Sequence, residues 1–185
     1  DVKKIWCWTR FESEKNKGRF FFFCGNPNVL PTGKKVLIIS TDLGYNGGSL
    51  AAVYAAKALE KRNYNVVVAA PGGNAVFIRE FKNDGLNIMI CSALPYLYSE
   101  ELAFVEKFDF VIVNVFQMML CAKAISRSKP VIWWIHEPMA FYEPVLEQFG
   151  EYVRQDRFKN IRIFAVSRIA QKGFNHYFPE RMIET

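Results

Sequence analysis

No stretch of this sequence approaches the roughly 18–20 consecutive apolar residues that cross a bilayer as a helix. The chain opens Asp1-Val2 with neither a basic n-region nor an apolar h-region, so no secretory leader is read there, and a start without Met is expected of a piece of a longer protein. Metal-binding and nucleophilic side chains are scarce. The two histidines, His136 and His176, stand far from the four cysteines, Cys7, Cys24, Cys91 and Cys121, and no two cysteines form C-x-x-C, so no metal site is expected. There is no G-x-S-x-G elbow and no dense carboxylate cluster. Cys91 and Cys121 sit in apolar stretches and read as buried thiols, which points to a reducing cytoplasm.

A strong charge of one sign is also missing from most of the chain. The net charge is +6, but residues 1–34 hold seven basic and three acidic side chains, against 17 and 15 in residues 35–185. The nearly neutral body gives no support to a nucleic-acid groove, and no nucleic acid is expected as a partner. A weakly basic surface leaves room for peripheral contact with anionic lipid at the inner face of a membrane. What the sequence has in plenty is apolar side chains, 51% of 185 residues, which suffice for one full domain and exclude a wholly disordered chain.

Two regions differ in pattern. In residues 1–34, KIWCWTRFE alternates as a strand, SEKNKG is a polar turn, RFFFFC is an aromatic β-former and GNPNVLPTG is a linker. A β-hairpin extension is expected there, serving as a structural flap or as an aromatic binding surface. From residue 35 to 185 the pattern becomes regular. KVLIIS, NVVVAA, NIMIC, FVIVN, VIWWI and IRIFAV are apolar runs of the kind that form strands buried on both faces. Helical segments are expected between them at 49–62, 76–84, 99–107, 116–127 and 167–177. Six strands alternating with helices predict an α/β fold, a Rossmann-like doubly wound parallel sheet.

Ligands of such sheets bind beyond the carboxyl ends of the strands. After the first strand, the loop TDLGYNGGS removes side chains at Gly44, Gly47 and Gly48. Two readings stay open here. The glycines bring backbone N–H groups near an anion, or they only serve a turn that needs positive φ. The loop is neither G-x-G-x-x-G nor a P-loop, and the second strand ends Ala69-Ala70-Pro71 with no acidic residue for a ribose, so neither NAD nor a P-loop nucleotide is expected as a cofactor. PGGNA follows the second strand, with Gly72 and Gly73 in a turn. Asn114 ends the fourth strand and offers an amide at the same rim. His136 and Glu137 follow the fifth, with Pro138 ending it. A histidine at that edge can bond a sugar hydroxyl or a phosphate, or move a proton near neutral pH. Its bland alternative is a structural bond to a carbonyl. Glu137 is a second polar contact or the first residue of the next helix. His176 reads as a surface residue near the end of the last helix.

The segment KKVLIISTDLGYNGGSLAAVYAAKALEKRNYNVVVAAPGG, with the later DFVIVN, PVIWWIHEP and IRIFAVSRIAQKGF, resembles the N-terminal half of family 4 glycosyltransferases of GT-B architecture over about residues 35–180. The resemblance implies an enzyme that moves a sugar from a nucleotide-sugar donor to a glycan or lipid-linked acceptor, with this half forming the acceptor-side wall of a cleft. It implies that Gly47, Gly48 and Ser49 lie near the donor diphosphate, that His136 lies near the transferred sugar as the catalytic residue, and that Ser167 and Arg168 line the rim. The family's second domain, with its E-x7-E motif, has no counterpart here. Glu143 and Glu151 share that spacing by chance, in the wrong half. The isolated chain is accordingly expected to be inactive. A non-catalytic Rossmann-like module that binds a nucleotide, a glycan or a partner is the alternative.

Overall fold

The computed structural model describes residues 20–28, 30, 32–94, 99–154, 160–181 and 183–185. The first strand of the expected N-terminal hairpin and its turn lie outside these residues. Seven strands are present among them: β1 (Phe20–Phe23), β2 (Lys35–Ile39), β3 (Asn65–Ala70), β4 (Asn87–Cys91), β5 (Phe110–Asn114), β6 (Val131–Ile135) and β7 (Ile161–Ala165). The α-helices are α1 (Gly47–Glu60), α2 (Ala75–Asn83), α3 (Met119–Ile125), α4 (Glu143–Arg154) and α5 (Arg168–Tyr177).

The strands form one sheet in the order β1-β4-β3-β2-β5-β6-β7. All neighbours from β4 across to β7 run parallel, and only β1 is antiparallel, paired with β4. The chain therefore builds outward from β2 in one direction, returns, and builds outward from β5 in the other. This is the doubly wound fold that the apolar runs predict. Alternate side chains of each strand enter two separate cores. Leu37, Val67, Val111, Trp133 and Ile163 pack on the face that carries α3 and α5, while Val36, Ile38, Val66, Val68 and Ile88 pack under α1 and α2. Burial on both faces explains why these strands are unbroken apolar runs.

The described residues among 20–33 are stitched onto this body. Phe20–Phe23 stand in register with Ile88–Cys91. The N–H groups of Gly25 and Asn26 both donate to Asn87 Oδ1, and the Asn65 amide donates to the carbonyls of Leu30 and Gly33.

Several helices differ from expectation. α1 starts two residues before Ser49, because the Asn46 side chain accepts from the Ser49 N–H at 2.9 Å and caps the helix there. Residues 99–107 wind as a 3₁₀ helix, and a short 3₁₀ turn at 116–118 precedes a shorter α3. Helix α4 is absent from the sequence reading. Its signal is Pro144 in the first turn behind an acidic Glu143. It carries both Glu143 and Glu151.

The switch-point site

The order of strands reverses between β2 and β5, so the loops that leave these two strands flank a crevice. The β2–α1 loop is built around Asp42. Its carboxylate accepts from Asn46 Nδ2 at 3.0 and 3.1 Å and from Ser49 Oγ at 3.1 Å. Leu43 extends the sheet by one bridge to Gly73, and the Leu43 carbonyl oxygen stands 2.7 Å from where a Gly73 Cβ would lie. Gly73 is thus required by the approach of a neighbouring loop. Tyr45 at the loop tip donates to Glu80 Oε2 at 2.7 Å and packs edge-on against Phe77.

The loop glycines do not serve a positive-φ turn. Among the described glycines only Gly85 has a positive φ. Gly48 is instead a packing requirement, since a Cβ there would stand 3.1 Å from Val115 Cγ1 and 3.7 Å from Asn114 Nδ2. Gly47 meets no such demand. It is exposed, and a Cβ there would find nothing within 4 Å.

Asn114, expected at the rim, and Ser49, expected near the donor diphosphate, are both buried. Asn114 is fully buried, and its Nδ2 donates to the Gly48 carbonyl at 2.9 Å and to Ser40 Oγ at 3.3 Å. Ser49 is fully buried, and its hydroxyl donates to the Asp42 carbonyl and carboxylate. Both hold the loop from beneath, and Asn114 Oδ1, like His136 Nε2, is buried with no hydrogen-bond partner among the described residues. The physical reason is that a short polar side chain next to a strand end finds backbone partners within the corner itself.

The β5–α3 corner carries backbone strain. Val115 has φ 74 and ψ 154, a region that glycine occupies and a β-branched residue avoids. Its N–H donates to the Trp134 carbonyl at 2.8 Å, and its own carbonyl accepts from Trp133 Nε1 at 3.0 Å. The next N–H, of Phe116, donates to Glu137 Oε2 at 2.9 Å, and the same oxygen accepts from the His136 N–H at 3.1 Å. Glu137 is buried, and loss of solvent raises its pKa from the ordinary carboxyl value against the pull of these N–H bonds. It is an internal fastener, not a surface contact and not a helix start.

His136 follows β6 on the same side as Trp134, with the two rings 4.5 Å apart and edge-on. Burial lowers its pKa from 6.5 to about 4, so the ring is neutral at pH 7. Its Nε2 is buried and has no hydrogen-bond partner among the described residues. The carbonyl-bonded structural histidine is therefore not what Nε2 provides. Ser167 caps α5, accepting from the Ala170 N–H at 3.2 Å, and Arg168 is exposed beside it at the carboxyl end of β7. His176 is exposed near the end of α5.

The fold thus gathers Asp42, Gly47, Gly48 and Asn114 into one interlocked corner with Val115, and Glu137 ties His136 to that corner. Ser167 and Arg168 lie two strands further along the same edge. Sequence reading missed Asp42 and Val115. The T-D-L-G spacing was the available signal for the first, and the second had none, because a valine after a strand looks like more strand. Among the described residues no group of three or more His, Cys, Asp or Glu is placed to hold a metal. A separate apolar hollow of about 460 Å³ lies at the opposite, amino edge, lined by Phe110, Pro130, Ile132 and Arg162. Its one charged side chain, Arg162, is engaged by Glu184 at 2.8 Å, so the hollow offers no comparable chemistry.

No protein-family model matches the chain, and no curated protein does. Among solved structures, it is similar to an alpha-glucosyltransferase in complex with UDP and a 13-mer DNA containing a HMU base. The TM-score is 0.51 and the identity 12%, over 82% of this chain and 41% of that one. The chain thus spans about two fifths of that enzyme's length. The likeness shows the fold alone.

Proposed function

We propose that this chain forms the acceptor-side wall of a glycosyltransferase, which moves a sugar from a nucleoside-diphosphate sugar to an acceptor hydroxyl. The observation that carries the reading is His136. A half-buried, neutral imidazole with a buried, unpartnered Nε2 stands at the carboxyl edge of β6, tied to the switch-point corner, in a fold that a UDP-bound glucosyltransferase shares. Buried polar atoms are normally bonded, so the open Nε2 suits a hydroxyl of the transferred sugar.

The other residues take graded roles in this reading. Gly47 leaves the first turn of α1 open to close approach. Asp42 adjusts the expectation for the loop. A carboxylate there repels a diphosphate and accepts from hydroxyls, so the loop suits sugar or acceptor hydroxyls, and Gly48 and Ser49 act only through the loop's shape. Arg168, exposed at the carboxyl end of β7, offers a cation to the donor's phosphates. Glu137 supports without contact, and Asn114 supports through its amide nitrogen while its Oδ1 stays open. The acceptor classes to test are a glycan, a lipid-linked sugar and, given the neighbour's DNA, a nucleic acid. A cytoplasmic location, with or without contact at a membrane surface, fits a donor of this kind.

The test is turnover of a panel of nucleoside-diphosphate sugars by the full-length protein, with His136→Ala beside wild type. Turnover is expected to fall by about 10²-fold, the scale of one lost preorganised contact, with the melting temperature little changed. Unchanged turnover removes His136 from the site. Failure of every donor in the panel sinks the transfer reading.

A further inference from the structure

The Val115 corner is the most constrained point of the site. A valine persists in a glycine-type conformation only where its surroundings over-determine it. Here they reach it from three sides: Trp134 O on its N–H, Trp133 Nε1 on its carbonyl, and Glu137 Oε2 on the following N–H. The last contact differs from the others because Oε2 also accepts from the backbone of His136. On the far side, Val115 Cγ1 closes on Gly48. One carboxylate oxygen therefore links the backbone that carries His136 to the corner against which the glycine loop packs.

We propose that Glu137 is a positioning residue of this site: its buried Oε2 holds the strained Val115 corner and the His136 backbone in a single geometry, and so fixes His136 relative to the glycine loop. The consequence for sugar transfer rests on the function proposed above. The positioning itself does not, and it is measurable in the 185-residue chain without substrate.

Two substitutions separate the carboxylate's acceptor role from its charge and bulk. Glu137→Gln keeps an oxygen acceptor and loses the charge. Glu137→Met keeps the bulk and loses both. The readout is the titration of the His136 ring by NMR, alongside the amide resonances of Phe116 and Gly48. Burial holds His136 near about 4. Loss of solvent is what lowers the His136 value, and losing the Glu137 carboxyl supplies nothing that favours the imidazolium, so a rise toward 6.5 reports water reaching a released segment.

The Gln variant is expected to leave the His136 midpoint and both amides near their wild-type positions. The Met variant is expected to raise the proton affinity of His136 at least tenfold and to shift both amides. In a Val115→Gly background, where the corner is no longer strained, Glu137→Met is expected to change that affinity less than threefold. Equal titrations for the Gln and Met variants overturn the proposal, as does a Met effect undiminished by Val115→Gly. If Glu137→Met does not fold, recovery of the fold in Val115→Gly/Glu137→Met supports the proposal, and failure to recover it overturns the proposal. Turnover by His136→Ala tests the transfer reading separately, so the two ideas fail on different measurements.

Discussion

The side-chain amide of Asn114 donates to the main-chain carbonyl of Gly48 at 2.9 Å, joining the end of β5 to the first turn of the helix that follows β2. This bond crosses the point where the strand order reverses, and it is fully buried at the Asn114 end. It makes the two glycines of the loop unequal. Gly48 is held against Asn114 and Val115, and Gly47 projects from that contact into open space.

The inequality gives a paired prediction. Gly47→Ala meets nothing within 4 Å and needs no positive φ, so the fold keeps it, with a gain of up to about 1 kcal/mol from helix propensity. Gly48→Val drives a branched side chain into Val115, whose backbone is clamped, and is expected to cost about 1–3 kcal/mol by overpacking. Chemical denaturation of both variants checks the order. A more stable Gly48→Val than Gly47→Ala contradicts it. In the full-length protein, Gly47→Val is the variant expected to lose transfer while keeping the fold.

Stability should fall in mild acid on account of His136. Its folded value of about 4 lies below the unfolded 6.5, so the unfolded chain binds more protons between these limits. The contribution is present above pH 6.5 and is lost as pH falls toward 4. Urea midpoints at pH 7 and pH 4.5 measure the loss, and His136→Asn is expected to make the drop between them smaller. An equal drop in both proteins means that other groups carry the acid sensitivity.

Glu60 has the opposite sign. Partial burial at the end of α1 raises its pKa from 4.5 to about 7, against the pull of Lys57. Below pH 4.5 it is protonated in both states and costs nothing. Above pH 7 its charge is held in a poorly solvated place, and that part of the stability is gone. Glu60→Gln is expected to raise the melting temperature at pH 8 and to leave it unchanged at pH 4. A decrease at pH 8 contradicts the assignment.

Trp133 is fully buried, and its indole N–H is the donor to the Val115 carbonyl. Trp133→Phe keeps most of the stacking on Phe116 and leaves that carbonyl without the indole. The expected cost is about 1–3 kcal/mol for an unsatisfied buried acceptor, before any cavity term. Equilibrium unfolding measures it, and a neutral result means that the corner holds without Trp133.

Much of the frame was legible in the chain itself. A parallel strand buried on both faces has no polar side to break the pattern, so KVLII, NVVVAA, FVIVN and VIWWI announce themselves as runs, and their spacing with helices between them dictates the doubly wound order. The same logic placed His136 at an edge, because the apolar run stops there. Short-range capping was less legible, since Asn46 and Ser49 both suit a helix start and only the bond from the Ser49 N–H to Asn46 decides between them. What tertiary structure alone decided is which way the polar side chains at that edge point. Asn114, Ser49 and Glu137 look like rim residues because each follows or precedes an apolar run. Each lies instead beneath the rim, because backbone groups left unpaired where strands end must find partners, some within the loop, as for Ser49 and Asp42, and some distant in sequence, as for Asn114 with Gly48 and Glu137 with Phe116. The strain at Val115 is of the same kind. Nothing local marks it, and it exists only because Trp133, Trp134 and Glu137 converge on it from the neighbouring strand.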